Sequence, residues 1–408
     1  MPEPSVPRRL PPRRWLPWLC GLVAFVIAAK KLIGGYDDLG IYLDVAREFQ
    51  QGGFDLCRDR ANSGPWVYPP CAVLPFVLLE GSLGNEGARW AWCLLLGVAT
   101  ALLVKALADA VRPIGGLTAW QWAVFGFLFQ RTIAQNLSHG QLSLWVGTLV
   151  AMGIAALVNG RDLVAGIWLG LATALKVTPG LFLPALLLMA RPRAAGSMAA
   201  TVALAVGLAT APFCGWSEHV RHLEDFVDAA LAAVRSPDDA AITAGRTGPS
   251  IAGTVDYLLQ PRPADREGHT VNLLDVDDDT LRVARGVWST LLGALLLAWF
   301  VRARRPDGPR RLLEQSAVVT MAITFFSPLV RTYHLAAMLA AAVLFCRGPR
   351  SRRDWLWFAT ASTLAFAMTL RQRNLIGVPA WRYLGLGGAL HFALVAMTVW
   401  LARTARRP

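Results

Sequence analysis

Six short groups of residues in the 408-residue chain have types and spacings that could do chemistry. The first is Tyr36-Asp37-Asp38-Leu39-Gly40-Ile41-Tyr42, which follows an apolar stretch. A carboxylate held partly out of water at a membrane face can act as general base on a sugar hydroxyl. The competing reading is local: Asp37 or Asp38 caps the helix that follows. One of the pair could cap while the other reacts.

The second group, Trp66-Val67-Tyr68-Pro69-Pro70, opens another apolar stretch. By physics alone it is a helix start with an aromatic at the interface. The third is Asn136-Leu137-Ser138-His139-Gly140-Gln141. Gln141 heads an apolar helix, where an amide needs a partner. His139 could be a ligand, a proton carrier or a plain loop residue. The fourth is Leu175-Lys176-Val177-Thr178-Pro179. An ammonium in hydrocarbon costs about 2.5–3.5 kcal/mol or more, so Lys176 is a functional candidate. Snorkelling to the interface from a helix end is the other reading.

The fifth group is Ser327-Pro328-Leu329-Val330-Arg331-Thr332-Tyr333-His334. Arg331 and His334 are three apart and could share a helix face. Both suit a phosphate oxygen, arginine through its bidentate fork; both also suit an interfacial anchor. The sixth, Gly245 to Gly253, is a small-residue loop with one cation, Arg246. His219 and His222 could meet a metal on a helix, but no further ligand accompanies them.

These groups must be positioned by membrane-spanning helices. Hydrophobic residues make up 55% of the chain and charged ones 16%, which leaves too little charge for the surface of a soluble domain of this length. Apolar stretches recur near 15–33, 67–83, 88–111, 118–133, 141–158, 163–189, 197–214, 284–301, 312–330, 332–346, 354–370 and 384–402. The expected fold is therefore all-α: one polytopic membrane domain over 1–408 with about 10–13 spans. Thr178-Pro179-Gly180 is expected to break the long stretch at 163–189. The six cysteines form no CxxC pair, although Cys57 and Cys71 could face one compartment.

The net charge of +13 orients the chain. With the N-terminus in the cytoplasm, the segments 1–14, 190–196, 302–311, 347–353 and the tail hold 18 arginines in about 44 residues. The segments 34–66, 216–283 and 371–383 hold 12 in about 114 and face outward. Both termini are thus expected in the cytoplasm of a multi-pass cell-membrane protein. Such scattered basic loops offer no single surface for nucleic acid. In the first outer loop, 34–66, the spacing of Leu39, Tyr42, Leu43, Ala46 and Phe49 predicts a short amphipathic helix on the outer membrane face. The second outer loop is 216–283.

In order along residues 20–347, these segments resemble glycosyltransferase family 87, the DUF2029 family of polyprenyl-phosphate-mannose-dependent mannosyltransferases with the GT-C fold. The resemblance rests on Asp38-Leu39-x-x-Tyr42, Tyr68-Pro69-Pro70, Gly140-Gln141, Ala165 to Ala172 running into Lys176-x-Thr178-Pro179, then Ser327-Pro328 and His334. It departs from the family pattern at Thr247-Gly248-Pro249-Ser250 and at Arg331-Thr332-Tyr333.

The resemblance implies transfer of a hexose, most readily mannose, from a polyprenyl-phosphate donor to a glycan or glycolipid acceptor on the outer face. It implies inversion in one displacement, with Asp38 as base and Asp37 as second candidate. Lys176, Arg331 and His334 would hold the donor phosphate, and Tyr68, Gln141 and His139 would shape the donor pocket. No cofactor is implied. A divalent metal is compatible with the chemistry, but no ligand set indicates one. A transporter or flippase for a lipid-linked or polar solute is the rival reading, and a non-catalytic membrane scaffold the third.

Overall fold

The computed structural model describes residues 15–33, 38–52, 66, 68–235, 255–256, 258–261, 272–302, 308–326 and 332–347. Helices account for nearly all of them, and there is no strand among the described residues. Helix α1 (Leu16–Leu32) begins with Pro17 in its first turn, where a missing N–H costs nothing. It buries Gly21, Ala24, Ala28 and Leu32 and exposes Trp18, Leu22 and Val26. An apolar exterior of this kind is what a lipid-facing helix carries.

Helix α2 (Asp38–Gln50) buries Leu39, Tyr42, Leu43, Ala46 and Phe49. The amphipathic spacing is thus met by protein: Gln50 Nε2 donates to the Val77 carbonyl at 2.9 Å, and Arg47 pairs with Glu80 at 3.2 Å. This corrects the expectation of an apolar face laid on the membrane. The stripe fits the neighbouring helix, so little of it is left for lipid.

A 3-10 turn at Pro70–Val73 leads into α3 (Leu74–Val111). The stretches expected at 67–83 and 88–111 are two helical segments of α3, separated at Gly84, whose φ of 65° and ψ of 178° are not helical. Helix α4 (Ala119–His139) starts on a capping box between Thr118 and Gln121, and α5 (Ser143–Val158) follows after a three-residue turn. Helix α6 (Asp162–Leu175) ends at Lys176, which has an extended backbone. A 3-10 turn at Thr178–Leu181 and α7 (Phe182–Leu188) complete the expected break. Proline in that turn cannot supply the N–H needed to continue α6.

Helix α8 (Pro192–Leu208) and the short α9 (Ala211–Cys214) lead to α10 (Trp216–Arg235). His219 of α10 contacts Thr210 Oγ1 at 2.6 Å and the Gly207 carbonyl at 2.7 Å. It therefore ties α10 back to the end of α8, a packing role rather than a ligand's. Helices α11 (Asp278–Arg302) and α12 (Pro309–Phe326) precede a 3-10 segment, Thr332–Met338, and α13 (Leu339–Phe345).

Three stretches among the described residues are long and apolar enough to cross a membrane: Pro70–Ile114, Pro192–Cys214 and Asp278–Val301. Four apolar helices of 10–17 residues are shorter than a full span. Short, broken helices of this kind are tolerated at membrane depth only where protein or a cavity satisfies their ends. Much of α5 and all of α13 are buried in this way. The expected spans at 354–370 and 384–402 lie outside the described residues.

Candidate active site

The turn between α4 and α5 organises the site. Gly140 closes α4 in the left-handed region, φ 67°, and both its N–H and that of Gln141 return to the Asn136 carbonyl. Trp92 of α3 donates from Nε1 to the Gly140 carbonyl at 2.8 Å. A Cβ on Gly140 would stand 2.8 Å from the Leu39 Cβ. The turn therefore lies directly against the start of α2, and a side chain there would push α2 away.

That contact brings Gln141 to Asp38. Asp38 is half-buried in the first turn of α2, where the helix dipole favours a negative charge. The buried Gln141 amide donates from Nε2 to Asp38 Oδ2. Its Oε1 accepts from the Tyr42 hydroxyl at 3.2 Å. The Tyr42 and Tyr68 hydroxyls are 3.2 Å apart. Since Tyr42 has already given its one proton to Gln141, Tyr68 is the donor of that bond. The chain runs Tyr68, Tyr42, Gln141, Asp38, each donating toward the carboxylate.

Aromatic packing holds this chain in place. Tyr42 meets Trp66 edge-on at 5.9 Å and Phe76 at 4.9 Å between ring centroids. The turn that follows Tyr68 is joined to the end of α6 by the Cys71 thiol, which donates to the Ala174 carbonyl at 3.2 Å. Cys71 forms no disulfide among the described residues, and Cys57, which could face the same compartment, lies outside them.

Two residues beyond Ala174 stands Lys176. Its Nζ lies over the Tyr68 ring, 6.0 Å from the centroid, at the outer limit of a cation–π contact. Lys176 makes no ion pair with any described residue. It opens instead into a pocket lined with Ser143 and Val146 of α5, Thr178, Thr324 of α12 and His334. Gly147 lets the 3-10 segment bearing His334 rest on α5: a Cβ there would lie 2.6 Å from the Ala336 carbonyl oxygen.

Asp38, Gln141, Tyr68 and Lys176, far apart in sequence, are thus linked in one run of contacts, and His334 lines the pocket that Lys176 enters. Asp37 and Arg331 lie outside the described residues. His139 is exposed at the end of α4, although Gln141 two residues on is buried. Two contributors were given no role in the site from the sequence: Tyr42, read only in the apolar stripe and in the Asp38-Leu39-x-x-Tyr42 match, and Ser143. Tyr42 lies one helical turn after Asp38, a spacing that could have flagged it. Ser143 carried no signal at all. Among the described residues, no three His, Cys, Asp or Glu side chains gather where they could hold a metal.

A carboxylate and a cation at the two ends of one polar chain, in a helical protein with a lipid-facing exterior, suit group transfer at a membrane. The sequence profile of glycosyltransferase family 87 matches residues 66–330, and the chain belongs to that family. It is accordingly a membrane glycosyltransferase, which removes the transporter and scaffold readings. The polyprenol-phosphate-mannose-dependent alpha-(1-2)-phosphatidylinositol mannoside mannosyltransferase of Mycolicibacterium smegmatis is 26% identical, over 94% of this chain and 86% of that one. Among solved structures, ArnT from Cupriavidus metallidurans in the apo state is similar with a TM-score of 0.41 and 14% identity, covering 94% of this chain and 76% of that one. The family match includes Tyr68, Gln141 and Lys176; Asp38 lies before it and His334 just after it.

Proposed function

We propose that the enzyme transfers mannose from a polyprenyl-phosphate donor to a glycolipid or glycan acceptor on the outer face of the cell membrane. The observation that carries this reading is the polar chain joining Asp38 to Tyr68, with Lys176 over the Tyr68 ring. Asp38 and Lys176, at the two ends of this chain, are the groups we assign to the two tasks of a single displacement, base and phosphate binding. Asp38 accepts the proton of the acceptor hydroxyl as its oxygen attacks the anomeric carbon. The bond from that carbon to the phosphate oxygen breaks, and the electron pair leaves with the polyprenyl phosphate. Lys176 and His334, with Arg331, neutralise that phosphate. Asp37 is the second candidate for the base.

One carboxylate suffices for an inverting transfer, whereas retention through a covalent intermediate would need a nucleophile as well. The mycobacterial relative supports mannose and a glycolipid acceptor. The arginine-dense segments support cytoplasmic termini, which put Asp38 outside. The test is incubation of purified enzyme with polyprenyl-phosphate mannose and a membrane lipid extract. Mass spectrometry should find a lipid heavier by one hexose, and proton NMR should find its anomeric configuration inverted relative to the donor. No product from this donor, or a product of retained configuration, would overturn the reading.

A further inference from the structure

The first turn of α5 holds a polar group that the chain from Tyr68 to Asp38 does not use. Ser143 opens that helix and is 3% exposed, yet its hydroxyl has no hydrogen-bond partner among the described residues. A buried hydroxyl left unmade is costly, and native proteins keep few of them. Ser143 lines the same pocket as Lys176, Thr178 and His334. The pocket also meets the N-terminal end of a 16-residue helix, where the first-turn N–H groups carry the positive end of the dipole. Thr324 is no rival donor, because its hydroxyl proton goes to the Thr320 carbonyl at 3.3 Å. Ile323 and Ala337 give the remaining wall an apolar character.

We propose that Ser143 and the first turn of α5 bind the phosphate of the lipid-linked donor, with the Ser143 hydroxyl donating to a non-bridging oxygen. The ligand class is a phosphate ester carrying an apolar tail; Ile323 and Ala337 meet the tail side. This assignment rests on the donor reading above and extends it to a residue that reading does not contain. It also gives the turn at Gly140–Ser143 two duties. Gln141 positions the base, and Ser143, two residues on, positions the leaving group. As the bond from the anomeric carbon to the phosphate oxygen breaks, the charge left on the phosphate strengthens the Ser143 bond.

The test compares wild type, Ser143→Ala and Ser143→Thr as purified full-length enzymes. Transfer from polyprenyl-phosphate mannose is measured, together with inhibition by added polyprenyl phosphate and by inorganic phosphate. Direct binding of polyprenyl phosphate is measured by calorimetry. Ser143→Ala should lower kcat/KM for the donor and weaken polyprenyl phosphate binding by roughly ten- to a hundredfold. The acceptor KM and the unfolding temperature should stay put. Ser143→Thr, which keeps the hydroxyl, should recover most of the loss. Inorganic phosphate should compete far more weakly than the polyprenyl ester. Wild-type affinity and kcat/KM in Ser143→Ala would overturn the proposal alone, leaving the donor reading intact. Equal competition by inorganic phosphate would overturn the apolar-tail assignment. If wild type transfers no mannose but binds polyprenyl phosphate through Ser143, the pocket stands and the reaction falls. If it does neither, both fall.

Discussion

Gln141 is the residue on which the two ends of the site depend. Its amide has four hydrogen-bonding positions, and two of them are committed, one to Asp38 and one to Tyr42. Gln141→Glu would place a second carboxylate against Asp38, and like charges at that distance resist joint ionisation. This variant should lose more activity than Gln141→Ala, although it keeps the size of the side chain, and steady-state transfer assays will rank the two. Tyr42→Phe removes two buried neutral hydrogen bonds, the one to Gln141 and the one from Tyr68, at about 0.5–1.5 kcal/mol each. It should reduce kcat several-fold with little change in donor KM. Much of this site could be read from the chain. Asp38, Gln141 and Lys176 are polar residues in apolar surroundings, where an unpaired polar group is expensive. Ser143 could not be read, because a serine at a helix start has an ordinary local explanation. Its candidacy rests on a hydroxyl with no partner among the described residues, which only three-dimensional packing reveals. Tyr42 was absorbed into the apolar stripe of α2, which hid its hydroxyl.

At the scale of elements, breaks between helices place the chemistry. Asp38 opens α2, Lys176 closes α6, Ser143 opens α5 and His334 lies in a 3-10 segment. The break at 176–181 was legible from proline and glycine. The packing of α2 was not, since an amphipathic period says that one face is covered without naming the cover. The turn at Gly140 makes its own prediction. Gly140→Ala forces a side chain into the left-handed region and against Leu39. It should lower stability by about 1–2 kcal/mol, read as a lower unfolding temperature. Activity should fall further than stability does, because α2 and Asp38 shift with Leu39. Gly147→Ala should act on the other end, displacing the segment that bears His334 and raising the donor KM more than it lowers kcat.

For the whole molecule, charge sets direction. The net +13 is concentrated in short arginine-rich segments, and only a few cations remain near the site. Orientation can be checked with cysteine variants in a background whose six native cysteines are replaced. Exposed Glu224 of α10 and exposed Arg193 of α8 should lie on opposite sides of the membrane. Glu224→Cys should react with a membrane-impermeant maleimide in intact cells, and Arg193→Cys only after permeabilisation. The reverse pattern would put the site on the inner face. The central claim is that Asp38 is the base for transfer from a lipid-phosphate sugar. The most direct measurement is the rate of mannose transfer by purified Asp38→Asn beside wild type, with Asp37→Asn as companion. The Asp38 variant should bind polyprenyl phosphate normally and transfer about 10²–10⁴-fold more slowly, while the Asp37 variant stays active. Wild-type rates in the Asp38 variant would contradict the account.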